Sequence, residues 1–323
     1  MGGVCSDQGD RKKALKLLME ANEIYQDVGD IWLGNIILQE VAWETWDHGD
    51  LKKGRTLFEE FSSGKRMAHF KWARDNNLNA LIRMNLTLGD YAAAQHFAQE
   101  NLENLRSSSI DMFEARGQFD LGLVDLSQGE FGPARQRFKS ALKIFRKAQY
   151  FRRICSTLNY LGLIALYEGR PEDSWALLEE SHTIGASLEN PCDECVVENL
   201  LFLGRVACLQ SDFPRAEMLI RQSLERAWNA NMLPMIPSRL EALAEVAAGQ
   251  AHYQDGAILL GAATQQRHDM GAQIWPVEQP SYNWLLSNLQ ATLGKKAFKQ
   301  AWDTGIAMTV EQILAYALPD LPS

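Results

Sequence analysis

The sequence predicts an all-α fold, a right-handed α-solenoid of helix pairs that repeats about every 40 residues. The main observation is a short turn, usually glycine followed by a polar residue, that recurs at nearly equal intervals. Small residues at fixed distances on both sides of this turn support the same architecture, because they let two helices of a pair approach closely. The turns are Gly9-Asp10, Gly49-Asp50, Gly89-Asp90, Gly129-Glu130, Gly169-Arg170, Ser211-Asp212 and Gly249-Gln250.

Length and composition exclude several classes of protein. The chain has 323 residues, which suits a solenoid because each repeat contacts only its neighbours. A net charge of −9 argues against a general nucleic-acid binder, so we expect no direct nucleic-acid partner. No apolar run approaches the ~18 residues that span a bilayer, so we expect no membrane partner. Five cysteines without regular spacing predict a reducing, cytoplasmic location.

The N-terminal residues predict an incomplete repeat. Residues 1–10 are expected to be irregular, and apolar spacing then predicts a helix over 11–28. This helix follows the Gly9-Asp10 turn, yet no helix precedes that turn. A second helix without its partner would leave an apolar face uncovered, so we expect a further segment upstream.

Residues 11–272 are predicted to form the solenoid. Glycine at each turn permits the left-handed conformation that ends the first helix of a pair. A small residue follows five positions after the turn, and a second precedes it by seven in most copies. The first set is Ala14, Gly54, Ala94, Ala134, Ser174 and Ala216, and the second is Ala42, Gly122, Gly162, Gly204 and Ala242.

Residues 273–323 are predicted to form a short helical cap over the last repeat. Pro276 and Pro280 preclude a regular helix between them. Helical spacing then resumes and is interrupted at Gly294. Thr309-Val310-Glu311-Gln312 has the pattern of a capping box, which predicts the start of a last helix.

These positions resemble the tetratricopeptide repeat. Leu121-Gly122, Gly129-Glu130-Phe131 and Ala134 match its pattern, although the standard repeat has ~34 residues. The longer period is similar to the MalT-like tetratricopeptide region of bacterial signalling proteins.

The tail resembles the C-terminal arm of bacterial signal-transducing ATPases and LuxR-type transcriptional regulators. This resemblance implies a role in bacterial signal transduction or transcriptional regulation, with an upstream ATPase module as a partner. The chain contains no G-x-x-x-x-G-K-[ST] sequence, and no helix-turn-helix follows the tail, so ATPase and DNA-binding functions are not implied for the chain itself. The resemblance rests on Ala257–Ala263, Tyr282, Leu293-Gly294, Ala297-Phe298, Ala301-Trp302, Gly305, Thr309–Gln312 and Ala315–Leu318.

No motif of catalysis stands out. The six histidines show no metal-ligand spacing, and neither G-x-S-x-G nor a phosphate-binding glycine loop occurs. We therefore predict a protein that is not an enzyme and needs no cofactor or metal.

The most specific local motif is Cys192-Asp193-Glu194-Cys195. A helix N-terminus at this place would lower a thiol pKa, which leaves a redox pair or half of a zinc site as alternatives. No second CxxC or HxxxH accompanies it, and an incidental surface pair is favoured. An enzyme that uses these two thiols would show reactivity well above that of Cys155 and Cys208.

A binding groove is predicted on the concave surface, which the first helix of each pair should line. Arginine and asparagine side chains there could clamp the carboxylates or backbone of a peptide. The alternative is that these are ordinary polar positions on an exposed helix face, with Trp43 and Trp46 in the core. The turn alignment assigns to the groove Trp43, Trp46, Asn79, Arg83, Arg116, Asn159, Arg205 and Arg239.

Fold and groove together predict a non-enzymatic protein-interaction or sensor scaffold that binds a peptide segment or a small effector. The alternative is the effector-binding part of a DNA-binding transcriptional regulator, whose ATPase and DNA-binding modules are absent from this chain.

Overall fold

The computed structural model describes residues 11–28, 31–63, 71–106 and 111–319. The predicted irregular segment 1–10 and its Gly9-Asp10 turn lie outside these ranges. Every regular element within them is a helix, which confirms the predicted all-α solenoid. The α-helices are α1 (Arg11–Val28), α2 (Ile31–Asp47), α3 (Leu51–Ser63), α4 (Lys71–Leu88), α5 (Tyr91–Arg106), α6 (Asp111–Ser127), α7 (Phe131–Lys147), α8 (Phe151–Tyr167), α9 (Pro171–Ala186), α10 (Asp193–Leu209), α11 (Phe213–Asn229), α12 (Ile236–Gly249), α13 (Tyr253–Met270), α14 (Gln279–Ile306) and α15 (Val310–Ala317).

Six helix pairs, from α2–α3 to α12–α13, follow one another in the described part of the chain. Four of the turns inside these pairs have glycine in the left-handed conformation, as predicted. Their φ values are +89° at Gly49, +79° at Gly89, +82° at Gly129 and +70° at Gly169. Ser211 takes the same place in the fifth pair with a φ of +62°. The even-numbered helices α2 to α12 are therefore the first helices of their pairs.

The last turn is displaced from the predicted position. Its left-handed residue is Ala251, with a φ of +64°, whereas Gly249 is the final residue of α12. Gly249 packs against another pair instead, because a Cβ there would lie 2.3 Å from Cε1 of Phe213. The small residue seven positions before the turn is consequently Ala244 rather than Ala242.

Close packing explains why the first helices carry small residues. A Cβ on Gly204 of α10 would lie 2.5 Å from Cγ1 of Ile220 on α11. The buried side chains between the helices of successive pairs form one continuous hydrophobic core from Ile82 to Leu318. A second, smaller cluster lies around Trp46, Phe58 and Leu81 in the first repeats.

The C-terminal helices pack on α13 through backbone contacts. A Cβ on Gly305 would lie 2.0 Å from the carbonyl oxygen of Ile258. Helix α14 is interrupted at Gly294, where φ is 73° and ψ is 158°. The predicted capping box is confirmed, because Thr309 Oγ1 accepts from Gln312 N and Gln312 Oε1 accepts from Thr309 N.

Residues 271–278, which we name the connector, join α13 to α14 and lie against the turn ends of distant repeats. Gln273 N donates to the carbonyl oxygen of Thr87 at 2.8 Å, and Val277 N donates to that of Ser127 at 3.2 Å. These bonds join the last pair to the ends of α4 and α6. They close the superhelix on itself.

The start of the connector also enters the core of the first repeats. Ala272 is buried in the same cluster as Ala42 and Trp46. Met270, at the end of α13, lies beside Gly49 in the α2–α3 turn.

None of the described helices combines the length and the apolar character needed to span a membrane.

The backbone contact at Gly305 predicts a large stability effect. Gly305→Ala should lower the free energy of unfolding by about 2 kcal/mol or more, because the methyl group meets a carbonyl oxygen that cannot rotate away. Gly132→Ala is the matched control, since it lies in α7 with open space around a Cβ and should be neutral or slightly stabilising. Chemical denaturation of both variants measures the difference, and equal stability of the two would contradict the close packing.

Candidate functional site

The closed superhelix surrounds a central chamber with a volume of about 180 Å³, which stays partly open to solvent. Most of its wall comes from the first helices of the pairs, and the rest comes from the segment before α12, the end of α13 and the connector. The wall combines aromatic and aliphatic side chains with five side chains that carry a guanidinium or carboxyl group. It consists of Trp43, Trp46, Arg83, Met84, Leu86, Thr87, Leu123, Tyr160, Leu163, Glu198, Leu201, Phe202, Pro234, Met235, Ser238, Arg239, Arg267, Gln273, Trp275 and Glu278.

Two cations of the wall have carboxylate partners. Arg83 Nη1 donates to Glu194 Oε2 at 2.9 Å, which joins α4 to α10. Arg267 makes a two-pronged pair with Glu241, at 2.6 Å from Nε to Oε1 and 2.9 Å from Nη2 to Oε2. Neither of these guanidinium groups needs a ligand to balance its charge.

Glu278 of the connector is balanced in the same way. Its Oε1 accepts from Arg205 Nη1 at 2.7 Å and from the Tyr167 hydroxyl at 2.9 Å. Burial alone would raise the pKa of Glu278, but the charge and hydrogen bond of Arg205 outweigh it and lower the pKa. The carboxylate therefore stays ionised and ties the connector to α8 and α10.

Arg239 is the exception among the cations of the wall. Its side chain is buried, with 3% exposed, and it bonds only to neutral oxygens. Nη1 donates to Met235 O at 3.0 Å and to Ser238 Oγ at 2.8 Å, while Nε donates to Ser223 Oγ at 3.2 Å. Nη2 has no hydrogen-bond partner among the described residues. Burial lowers the pKa of Arg239 to about 10, against the raising effect of nearby Glu198, so the group is a cation at neutral pH.

Glu198 completes the ionisable part of the wall. Its Oε1 accepts from the Tyr160 hydroxyl at 2.6 Å. Burial raises the pKa of Glu198, although the charge of Arg83 opposes this effect. No ion pair between Glu198 and Arg239 is formed within 4.0 Å among the described residues. The chamber therefore presents a buried cation without a counter-ion.

The predicted groove residues divide into two groups. Trp43, Trp46, Arg83 and Arg239 line the chamber. Trp46 is also core, with 6% exposed, and Trp43 is half-buried with its ring edge-on to Phe58 at 5.2 Å. The two tryptophans therefore lie where the chamber meets the core of the first repeats, and a role of these four side chains in partner binding stays a prediction.

The other predicted side chains lie between helices and do not line the chamber. Arg116 pairs with buried Asp75 at 2.6 Å, and Asn79 donates to Asp120 Oδ1 at 2.6 Å. Asn159 donates to the Cys195 carbonyl at 2.8 Å. Arg205 is held by Glu278, as described above. A direct role of these four side chains in partner binding stays a prediction.

Sequence reasoning missed Glu198 and four wall residues near the C-terminus. They belong to the end of α13 and the connector, where the prolines predicted only a break in the helical pattern, and they are Arg267, Gln273, Trp275 and Glu278. Nothing in the local pattern indicates that this segment returns to the first repeats. Glu198 lies one turn after Cys195 on a first helix, where the turn alignment could have assigned it to the groove.

The CxxC motif opens α10, as the sequence predicted. Cys192 is the N-cap residue, and its Sγ accepts from Cys195 N at 3.4 Å. The hydrogen bond from the Cys195 thiol, against the effect of burial, lowers the pKa of Cys192 to about 6. Burial raises the pKa of Cys155 and of Cys208. No cluster of three potential metal ligands occurs in the described ranges.

Two solved structures show the fold class to which the chain is similar. The crystal structure of BtubC (BKLC) from P. vanneervenii matches with a TM-score of 0.51 and 16% identity, over 68% of this chain and 91% of that one. A STAND protein with a tetratricopeptide repeat sensor from Pyrococcus horikoshii matches with a TM-score of 0.53 and 13% identity, over 90% of this chain. This chain spans 46% of that protein.

At these identities the likeness shows a tetratricopeptide-like helical-repeat fold. No protein-family model matches the chain, and no curated protein sequence does.

The ion pair between Glu278 of the connector and Arg205 of α10 predicts a loss of stability when it is broken. Glu278→Gln should lower the free energy of unfolding by about 2–3 kcal/mol, because it keeps the shape of the side chain but leaves Arg205 without its counter-charge. Asp303→Asn makes the same chemical change in an exposed pair with Lys299 and should cost less than about 1 kcal/mol. Urea denaturation of both variants measures these values, and a Glu278→Gln variant as stable as the control would contradict the closure.

Asp47, the last residue of α2, predicts that the stability of the fold depends on pH. Burial, opposed by Arg83, raises the pKa of Asp47 to about 7, above the value of about 3.9 in an unfolded chain. The fold favours the neutral carboxyl, so the stability that this group contributes below about pH 4 is lost as the pH rises to about 7. Thermal unfolding between pH 4 and 8 should show a smaller decline for Asp47→Asn than for the unaltered chain. Parallel profiles would contradict the shift.

Proposed function

We propose that this chain is a non-enzymatic sensor arm that binds a small organic anion in the central chamber. The observation that carries the proposal is Arg239, a buried guanidinium without a counter-ion in the chamber wall. A buried charge is costly unless it is paired, and an anionic ligand would supply the missing partner.

The size of the chamber favours a small effector over a peptide segment. A cavity of ~150 Å³ in another protein holds a benzene molecule, and the chamber here measures about 180 Å³. Three extended residues of a peptide already span ~10 Å and need an open groove. The connector crosses the ends of α4 and α6, which limits the length of any such groove.

The remaining walls favour a ligand with an apolar body. Trp43, Phe202 and Trp275 offer aromatic surface around the charged end. Glu198 adds a polar group beside the charged end, and burial raises its pKa. A carboxylate or phosphate on a small ring meets all three conditions.

We further propose that the chain is the arm of a bacterial signalling regulator of the MalT-like or LuxR-type class and acts in the cytoplasm. The tail motifs support this assignment, as does the likeness to a structure described as having a tetratricopeptide repeat sensor. Its partners would be a protein or an ATPase module. The alternative is the effector-binding part of a DNA-binding transcriptional regulator. An ATPase domain encoded beside this chain would favour the first form, and a DNA-binding domain the second.

Ligand binding can be tested with three probes that share a phenyl ring and differ in the polar group attached to it. Benzoate and phenyl phosphate carry the two kinds of anion on an apolar ring, and benzyl alcohol is the neutral control. We expect at least one of the anions at millimolar concentration to raise the thermal unfolding midpoint, and the alcohol to have no such effect. Which anion acts distinguishes a carboxylate from a phosphate ligand.

Variants of two arginines identify the site. Arg239→Gln should weaken binding of the active probe by about tenfold to hundredfold, the value of one charged hydrogen bond. Arg221→Gln is the control, because Arg221 lies on α11, outside the chamber wall, and pairs with Glu217. Calorimetric titration measures both. Equal stabilisation by all three probes, no stabilisation by either anion, or unchanged binding to Arg239→Gln would exclude the proposed site.

A further inference from the structure

The two thiols of the CxxC motif have different surroundings. Cys192 precedes α10 and is half-buried, whereas Cys195 is buried, with 5% exposed. The Cys195 Sγ lies 3.2 Å from Ser156 Oγ and 3.6 Å from the carbonyl oxygen of Arg152, both on α8. The backbone N–H of Cys195 donates to the sulfur of Cys192 at 3.4 Å. The motif therefore consists of one half-buried thiol and one buried thiol at the start of the same helix.

Cys192 and Cys195 both line a cavity outside the central chamber, as does Cys155. Its volume is about 160 Å³, and it lies between α8, α9 and the start of α10. Ala186, Leu188, Pro191 and Val196 give its walls apolar surface, and Arg152 and Arg226 also line it. A small group bonded to the Cys192 sulfur therefore has space beside it.

The charges around the motif favour a thiolate on the first cysteine. Arg152 lines the cavity, and its charge adds to the hydrogen bond from Cys195 in lowering the pKa of Cys192 to about 6. The pKa of Cys195 is raised, first by its hydrogen bond to Cys192 and then by burial. At neutral pH the half-buried sulfur is thus ionised and the buried one keeps its proton.

We propose that Cys192 and Cys195 form a reversible dithiol–disulfide pair, in which Cys192 is the attacking thiolate and Cys195 is the resolving thiol. The co-reactant is a low-molecular-weight disulfide, RSSR, of the glutathione kind. This inference is independent of the ligand in the central chamber.

The exchange balances in two steps. The Cys192 thiolate attacks one sulfur of RSSR, the S–S bond of RSSR breaks, and RS⁻ leaves a mixed disulfide on Cys192. Cys195 then loses its proton to solvent, attacks the Cys192 sulfur and releases the second RS⁻. The protein loses two electrons in forming its disulfide, and RSSR gains them as two thiols.

The cysteine pair lies next to the wall of the central chamber. Glu194 lies between the two cysteines in the sequence and binds Arg83 of that wall.

Thiol reactivity provides the first test. The reduced full chain is treated with iodoacetamide at a series of pH values and digested with a protease that cleaves after glutamate. Cleavage at Glu194 separates Cys192 from Cys195, so each of the five cysteines is quantified on its own peptide. Cys192 should react at least about tenfold faster than Cys155 and Cys208 at pH 7, with a midpoint near pH 6. Equal, slow labelling of the three would overturn the proposal.

Glutathione disulfide provides the second test. After its addition, the peptides of Cys192 and Cys195 should remain joined by a bond that a reductant breaks, with no glutathione attached. Cys195→Ser should instead keep glutathione on Cys192, because the resolving thiol is missing. Cys208→Ser is the control and should behave as the unaltered chain does. Retention of glutathione on Cys192 in the unaltered chain would show that Cys195 does not resolve the intermediate. The absence of an adduct in Cys195→Ser would show that Cys192 is not the attacking thiolate, and either result would overturn the proposal.

Discussion

The contact between the connector and the turn ends of the first repeats is the constraint on which the rest of the structure depends. In a simple solenoid each repeat contacts only its neighbours, and the concave side is open. Here Gln273 N and Val277 N donate to carbonyl groups at the ends of α4 and α6, and Ala272 enters the core of the first repeats. The concave groove becomes a chamber that is only partly open to solvent.

Burial in the chamber wall changes the chemistry of charged groups on the concave side. A guanidinium on an exposed helix face would be solvated, whereas in the chamber it needs a partner. Arg83 and Arg267 have carboxylate partners supplied by other helices, and the carboxylate of Glu278 is balanced by Arg205. Arg239 hydrogen-bonds only to neutral oxygens and forms no ion pair, which is why the proposed ligand is an anion.

The local features of the fold could be predicted well from the sequence. The left-handed glycines at Gly49 and Gly89 and the capping box at Thr309 depend on residues within one or two helical turns, so their patterns are visible in a short window. The last turn shows the limit of this approach. Gly249 matched the periodic position, yet the chain turns at Ala251, because the glycine accommodates the ring of Phe213 from the preceding pair.

The candidate site was only partly predictable, for the same reason. The alignment assigned Trp43, Arg83 and Arg239 to the concave side, and they line the chamber, but it assigned Arg116 and Asn79 there as well. These two side chains turn into a buried polar cluster with Asp75 and Asp120, because those carboxylates on neighbouring helices need partners. A turn alignment indicates which helix a residue is on and not which neighbour its side chain meets.

The sequence by itself determined the helices, their pairing and the period of about 40 residues, since all of these follow from contacts between residues close in the chain. Only the tertiary structure decided that the superhelix closes and that Arg239 lacks a counter-ion. Closure depends on backbone bonds such as Gln273 to Thr87, between segments far apart in sequence. A backbone hydrogen bond is independent of the identity of the side chains, so the residues that form it carry no pattern from which it could be predicted.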